Sequence, residues 1–197
     1  DVPKSAQTEF RVGYVTGLKY DATGEYFKSG LMNYALGGAF NSRLNMNLRE
    51  DKGWTYGARG GFTGGKQTGD YEFSSGIRGN ATDSALIEIM KELKGYAEGG
   101  ITEDELAFMK SSIGQRDALR YETGAQKAAD FVDRQNNIVK TITKAEIDAL
   151  AKKWLTADKM NVLVVGDKSK ILEGLQKLGY EIIELDVDGK PVGKKAF

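Results

Sequence analysis

LGGAFNSRLNMNLREDKGWTYGA, residues 36–58, reads as a helix end, a tight turn, a short helix and the start of a strand. Gly37 and Gly38 are expected to supply the positive φ that closes the preceding helix. Asn41 or Ser42 is expected to cap the next one, because a short side-chain oxygen there accepts from an otherwise orphaned backbone amide. Leu44 and Leu48, four residues apart, give that helix one apolar stripe, and Gly53 ends it. Arg49 then falls in the last turn, where the helix dipole favours a cation. Tyr56 follows seven residues later on an extended segment. The unit therefore holds a guanidinium and a phenol at a set separation, although an Arg in a last turn and a Tyr on a strand are each ordinary.

Towards the N-terminus, residues 1–8 are polar and read as a linker, and Phe10, Val12 and Tyr14 alternate with Arg11 and Gly13 as a strand over 9–17. Residues 20–24 read as a loop, and Phe27, Leu31, Tyr34 and Ala35 recur at helical spacing over 26–36. Downstream, Gly60 to Lys66 nearly matches the phosphate-binding G-x-x-x-x-G-K pattern. Gln67 stands where a magnesium-binding hydroxyl is required, and a strand follows in place of a helix, so a hairpin loop is the better reading. Tyr71, Phe73, Ser75 and Ile77 alternate on the returning strand, 70–79.

Thr82 or Asp83 is expected to cap a helix bearing Leu86, Ile89, Leu93 and Tyr96, closed by Gly99 and Gly100. Thr102 with Glu105, and Thr143 with Glu146, read as capping boxes. The first opens a helix with Leu106, Met109 and Ile113 on one face, interrupted near Gly124 and running to about Val139. The second precedes Ile147, Leu150 and Trp154. The acidic run Glu103-Asp104-Glu105 complements a helix dipole better than it suggests metal ligands. Residues 160–165 form a continuous apolar run, expected as a buried strand. A helix with Ile171, Leu172, Leu175 and Leu178 stops at Gly179, Ile182, Ile183 and Leu185 suggest a last strand, and Asp188-Gly189 turns into a basic tail. Strands followed by helices, then strand–helix–strand, describe an α+β domain with helices on one sheet face.

Composition bounds the chemistry. The 197 residues suffice for one well-buried core, so a single domain is expected. Lys plus Arg number 28 and Asp plus Glu number 28, a balance that argues against nucleic acid or an anionic membrane as a charge-driven partner. No apolar run is long enough to span a bilayer, and no signal peptide is recognisable. The chain has no Cys and no His, which removes thiolate nucleophiles, the usual zinc ligands and every Ser-His-Asp or Cys-His arrangement.

The pattern LGG-x-F-x-SRL-x-x-x-LRE-x-x-G-x-x-Y resembles the signature of the non-catalytic half of insulinase/pitrilysin-type zinc peptidases, which include the mitochondrial processing peptidases. ITEDEL at 101–106, the T-x-x-E helix before VLVVGD at 162–167, and LG-x-E-I-I-E-L-D-x-x-G at 178–189 are similar to the carboxyl-terminal half of bacterial members, so the resemblance covers nearly the whole chain. It implies a mixed β-sheet packed on helices. It also implies a division of labour in which one half carries His-x-x-Glu-His and a downstream Glu for zinc, and the other lends an Arg and a Tyr to substrate. With no His, this chain resembles the second kind, and Arg49 and Tyr56 match the pair in type and spacing. The implied partners are a peptide substrate and a zinc-bearing half, fused or separate, and no metal is expected on this chain. Trp54 departs from the smaller or aliphatic residues common at its place in the pattern, and packing accounts for it more simply than a subsite. The resemblance implies a bacterial periplasmic or envelope setting, with the cytoplasm as the alternative. A catalytically silent structural subunit, as among respiratory-complex core proteins of this fold, or a peptide-binding module, are the alternatives.

Overall fold

A computed structural model describes residues 1–120 and 129–193. The expected interruption near Gly124 and the last residues of the basic tail lie outside them. Strand β1 (Gln7–Thr16) is the centre of the sheet, with Thr8, Phe10 and Val12 buried and Gln7, Glu9 and Arg11 exposed in alternation. Strands β2 (Thr55–Phe62) and β3 (Gly69–Arg78) form a hairpin, and β4 (Asn161–Val165) closes the other side, giving the order β2-β3-β1-β4. All three pairings are antiparallel, and among the described residues the parallel element reduces to an isolated Lys19–Gly65 bridge. The glycine-rich run is the hairpin connection, as expected: Gly65 donates to Thr68 O at 2.9 Å and Thr63 to Asp70 O at 2.9 Å.

Helices cover one face of the sheet. They are α1 (Glu25–Asn33), α2 (Arg43–Asn45), α3 (Thr82–Gly99), α4 (Glu103–Arg120), α5 (Ala129–Thr141), α6 (Lys144–Trp154) and α7 (Lys168–Gln176). Leu31, Met32, Ile89, Leu93, Met109 and Ile147 are buried against Phe10, Val12, Phe73 and Ile77, and α6 packs on α1 and α3. The α+β class with a helix-packed sheet is thus borne out. Both capping boxes form: the Glu105 amide donates to Thr102 Oγ1 at 3.2 Å and the Thr102 amide to Glu105 Oε2 at 2.8 Å, with the same reciprocal pair at Thr143 and Glu146.

Several expectations are corrected by long-range pairing. Among the described residues, the apolar run 160–165 is an edge strand, paired on one side only with β1; Val162 and Val164 turn to the helix layer while Leu163 and Val165 are exposed. The segment around Ile182, Ile183 and Leu185 does not join the sheet. It folds back as a small hairpin through a Leu185–Pro191 bridge, with Gly189 at φ +76 in the turn, and both isoleucines are exposed. Residues 1–8 are no linker: Gln7 and Thr8 belong to β1, and the Val2 amide donates to Gly166 O at 2.8 Å. Gly37 and Gly38 lack a positive φ and lie in a widened π-type turn over Tyr34–Gly38. Gly37 is required instead for close approach, since a Cβ there would sit 2.7 Å from the Gly60 amide nitrogen. Neither Ser42 nor Thr82 caps through its side chain. The Thr82 hydroxyl serves Gly79 O and Thr8 Oγ1, both at 2.9 Å.

Candidate functional site

Leu44 and Leu48 are fully buried and seat the short helix α2, which continues as a π-helical turn over Met46–Asp51. Arg49 lies in the last turn of that unit. Its guanidinium carbon stands 4.3 Å over the Phe40 ring centre, and Nη1 lies 3.6 Å from Glu50 Oε1. The side chain keeps 32% exposure, so its charge still meets solvent and its donors are not consumed by a buried partner. Gly53 ends the helical unit at φ +60, as its place in the sequence predicts. Its amide donates to Arg49 O at 3.0 Å, and the Trp54 amide donates to Leu48 O at 2.9 Å.

Strand β3 holds this turn from the other side. The Arg78 guanidinium donates to Gly53 O at 2.5 Å, and the Arg78 amide donates to Trp54 O at 2.9 Å. Trp54 itself packs partly buried against the core, which agrees with the packing reading. One residue later the register shifts: Thr55 faces Ile77 but Ala58 faces Ser75, a β-bulge that places one extra residue on β2. The buried Thr55 hydroxyl fastens the bulge. It lies 2.9 Å from Ser75 Oγ, 2.8 Å from Gly76 O and 3.1 Å from the Gly57 amide. The bulge leaves Tyr56 87% exposed, and its hydroxyl has no hydrogen bond among the described residues.

Arg49 and Tyr56 thus stand on the two sides of one turn. Asn45, buried on α2, joins those sides: its Oδ1 accepts from the Ala58 amide at 2.9 Å and its Nδ2 donates to Phe40 O at 2.5 Å. A polar residue beside Leu44 was the available signal for Asn45; nothing local in the sequence marks Thr55 or Arg78. Arg43, on the same helix, anchors the unit to the rest of the domain. Its Nε and Nη2 donate to Glu105 at 2.6 and 2.7 Å, Nη2 also reaches Gly100 O at 3.0 Å, and the guanidinium lies 4.7 Å over the Tyr96 ring. Burial alone would raise the Glu105 carboxyl, but the Arg43 bonds and the Thr102 amide outweigh it and hold it below the ordinary range. Bonding to Glu105 likewise raises Arg43 against the cost of burial. Glu105 is therefore a structural ion-pair partner, which accounts for it without a metal.

On the open face of the sheet, beside Tyr56, lies an open hollow of about 260 Å³. Arg11, Arg59 and Glu9 rim it, Ser74 and Ser75 line it, and Gly57 and Gly76 add no side chain to it. Among the described residues, no group of three or more Asp or Glu gathers as a metal site.

Residues 2–113 match the protein family described as Peptidase M16 inactive domain. An 86-residue stretch is 34% identical to an uncharacterised zinc protease of Streptomyces coelicolor, covering 44% of this chain and 18% of that protein. Among solved structures the chain is similar to a peptidase M16 inactive domain from Pseudomonas fluorescens, with TM-score 0.68 and 25% identity over 83% of this chain and 41% of the other. It is similar in fold to the periplasmic protease PqqL from Escherichia coli, with TM-score 0.66 and 13% identity over 82% of this chain and 19% of the other. The chain spans less than half the length of each of these relatives.

Proposed function

The chain belongs to the family of peptidase M16 inactive domains, and from that membership we propose that it completes the active site of a zinc metalloendopeptidase by holding extended peptide with Arg49 and Tyr56. The resemblance to insulinase-type peptidases carried by residues 36–56 is borne out by the family match. The chain's own donors do not suit zinc, since it has neither His nor Cys and its described carboxylates form no cluster. Zinc therefore belongs to a catalytic His-x-x-Glu-His half, fused to residues 1–197 or carried by a separate subunit.

In this reading the Arg49 guanidinium offers several fixed donors to peptide carbonyls. The Tyr56 hydroxyl donates to the carbonyl beside the scissile bond and to the charge that develops there. The observation that carries the reading is the presentation of Tyr56: an exposed phenol with no partner among the described residues, on a turn held by Asn45, Thr55 and Arg78. Such a support favours a group that must keep its place when substrate arrives. A periplasmic or envelope setting, like that of PqqL, forms part of the proposal.

The test is cleavage of an unstructured peptide by this chain alone, by its zinc half alone, and by the mixture, repeated with Arg49→Ala. Activity confined to the mixture and lost in the variant, with assembly intact, supports the proposal. A zinc half that cleaves equally well without this chain defeats it, leaving a scaffold subunit as the reading.

A further inference from the structure

We propose that the hollow beside Tyr56 is a subsite for an acidic side chain of the bound peptide, with Arg59 and Ser74 as its donors. This rests on the peptide-clamp reading and names the substrate class it selects. Arg59 on β2 and Ser74 on β3 are directly opposite in register, and Ser74 is in turn opposite Arg11 on β1. All three lie on the face away from the helices, so Arg59 and Ser74 are cross-strand neighbours with side chains about 5 Å apart at Cβ.

Their bonding states differ. Arg11 is committed: it lies 3.4 Å from Glu72 and 3.7 Å from Glu9, and it donates to Phe10 O at 2.8 Å. The Arg59 side chain has no hydrogen bond, ion pair or ring contact among the described residues, and the Ser74 hydroxyl has no hydrogen bond. The rim therefore presents a free guanidinium and a free hydroxyl side by side, while Glu9 is opposed by Arg11. A guanidinium fork with a neighbouring hydroxyl is a donor set for a planar carboxylate. Room exists for one, because a Cβ at Gly57 would meet nothing within 4 Å. Gly57 is also the residue after Tyr56, which puts the hollow next to the strand position that presents the phenol.

The experiment measures binding of acetylated, amidated fluorescent peptides to this chain by anisotropy, with Glu or Gln at successive positions of an otherwise fixed sequence. End-capping leaves the side chain as the sole carboxylate, and a Gln peptide with a free C-terminus serves as the arm that detects terminal capture. The expected result is a register at which Glu binds about tenfold tighter than Gln. That ratio falls to near one in Arg59→Gln and below one in Arg59→Glu, while affinity of Arg59→Gln for the capped Gln peptide stays unchanged. A Glu/Gln ratio near one at every position, or one unchanged by Arg59→Gln, overturns the subsite, as does an Arg59-dependent gain from the free C-terminus alone. Failure of the clamp itself reads differently: binding of both peptides then does not respond to Arg49→Ala.

Discussion

The backbone amide of Ala58 donates to Oδ1 of Asn45 at 2.9 Å, tying the strand that carries Tyr56 to the helix that carries Arg49. Both groups are buried, so water cannot replace the bond if it is lost. Arg49 and Tyr56 are thereby carried on one supported unit.

Asn45→Ala leaves the Ala58 amide and the Phe40 carbonyl without partners, and is expected to destabilise the domain by about 1–3 kcal/mol. Urea unfolding measures this. Peptide binding is expected to weaken more than the loss of folded protein explains, because the two sides of the turn are uncoupled. Asn45→Asp, which keeps the acceptor for Ala58, is expected to restore part of the binding.

Thr55→Val keeps the shape of the side chain and removes the hydroxyl that meets Ser75 Oγ, Gly76 O and the Gly57 amide. The Gly57 amide is then expected to exchange with solvent more than tenfold faster, a local opening cheaper by over about 1.4 kcal/mol. Hydrogen exchange resolved by NMR reads that amide directly. Unchanged exchange would mean the bulge is held by the strands and not by Thr55.

Arg43→Ala strips Glu105 of its ion pair and leaves Gly100 O and the Tyr96 ring without the guanidinium. The pair is only partly buried, so the expected loss is about 2–4 kcal/mol, at or below the range for fully buried pairs. Combining it with Glu105→Gln is expected to cost less than the sum of the single losses, which a double-mutant cycle measures.

Glu146 accepts from the Thr143 amide and meets Lys28 across α1 and α6 at 3.0 Å. The Thr143 amide, followed by Lys28, pulls its pKa from the ordinary 4.5 to about 2. The folded state thus binds this proton less readily than the unfolded chain. The stabilisation is present above the unfolded pKa and is lost as pH falls through the folded one, from about 4.5 towards 2. Thermal melts over that window are expected to fall less steeply in Glu146→Gln than in the parent. Because the pair is exposed, the difference is modest and shrinks with salt.

What the sequence made legible was whatever local periodicity or chemistry decides. Leu44 and Leu48 gave the buried stripe, Gly53 the helix stop, and Thr102–Glu105 and Thr143–Glu146 their capping boxes. Illegible were features set by chain segments meeting from afar. Gly37 looked like a helix terminator, yet its lack of a Cβ serves the approach of Gly60, which only packing reveals. The run 160–165 looked buried on both faces because composition does not say that helices cover only one face of the sheet, which leaves Leu163 and Val165 exposed on the other. Ile182 and Ile183 carried a strand signal with no adjacent strand to satisfy it. At the candidate site, the resemblance of residues 36–56 to the insulinase-type signature singled out Arg49 and Tyr56, which local chemistry alone leaves ordinary. The devices that aim the tyrosine, the bulge at Thr55 and the Arg78 clasp on Gly53, depend on a β3 register that no local pattern encodes.

The central claim is that the Tyr56 hydroxyl meets the reacting carbonyl, and one comparison tests it most directly: kcat/KM of the assembled peptidase with and without Tyr56→Phe. The side chain is exposed, so the substitution is expected to leave stability within about 0.5 kcal/mol, and assembly can be verified by sedimentation. Loss of one donor to developing negative charge is expected to lower kcat by about 10²–10³-fold, with KM little changed. A Tyr56→Phe assembly that cleaves peptide at the parent rate contradicts the account, and places the phenol outside the chemistry.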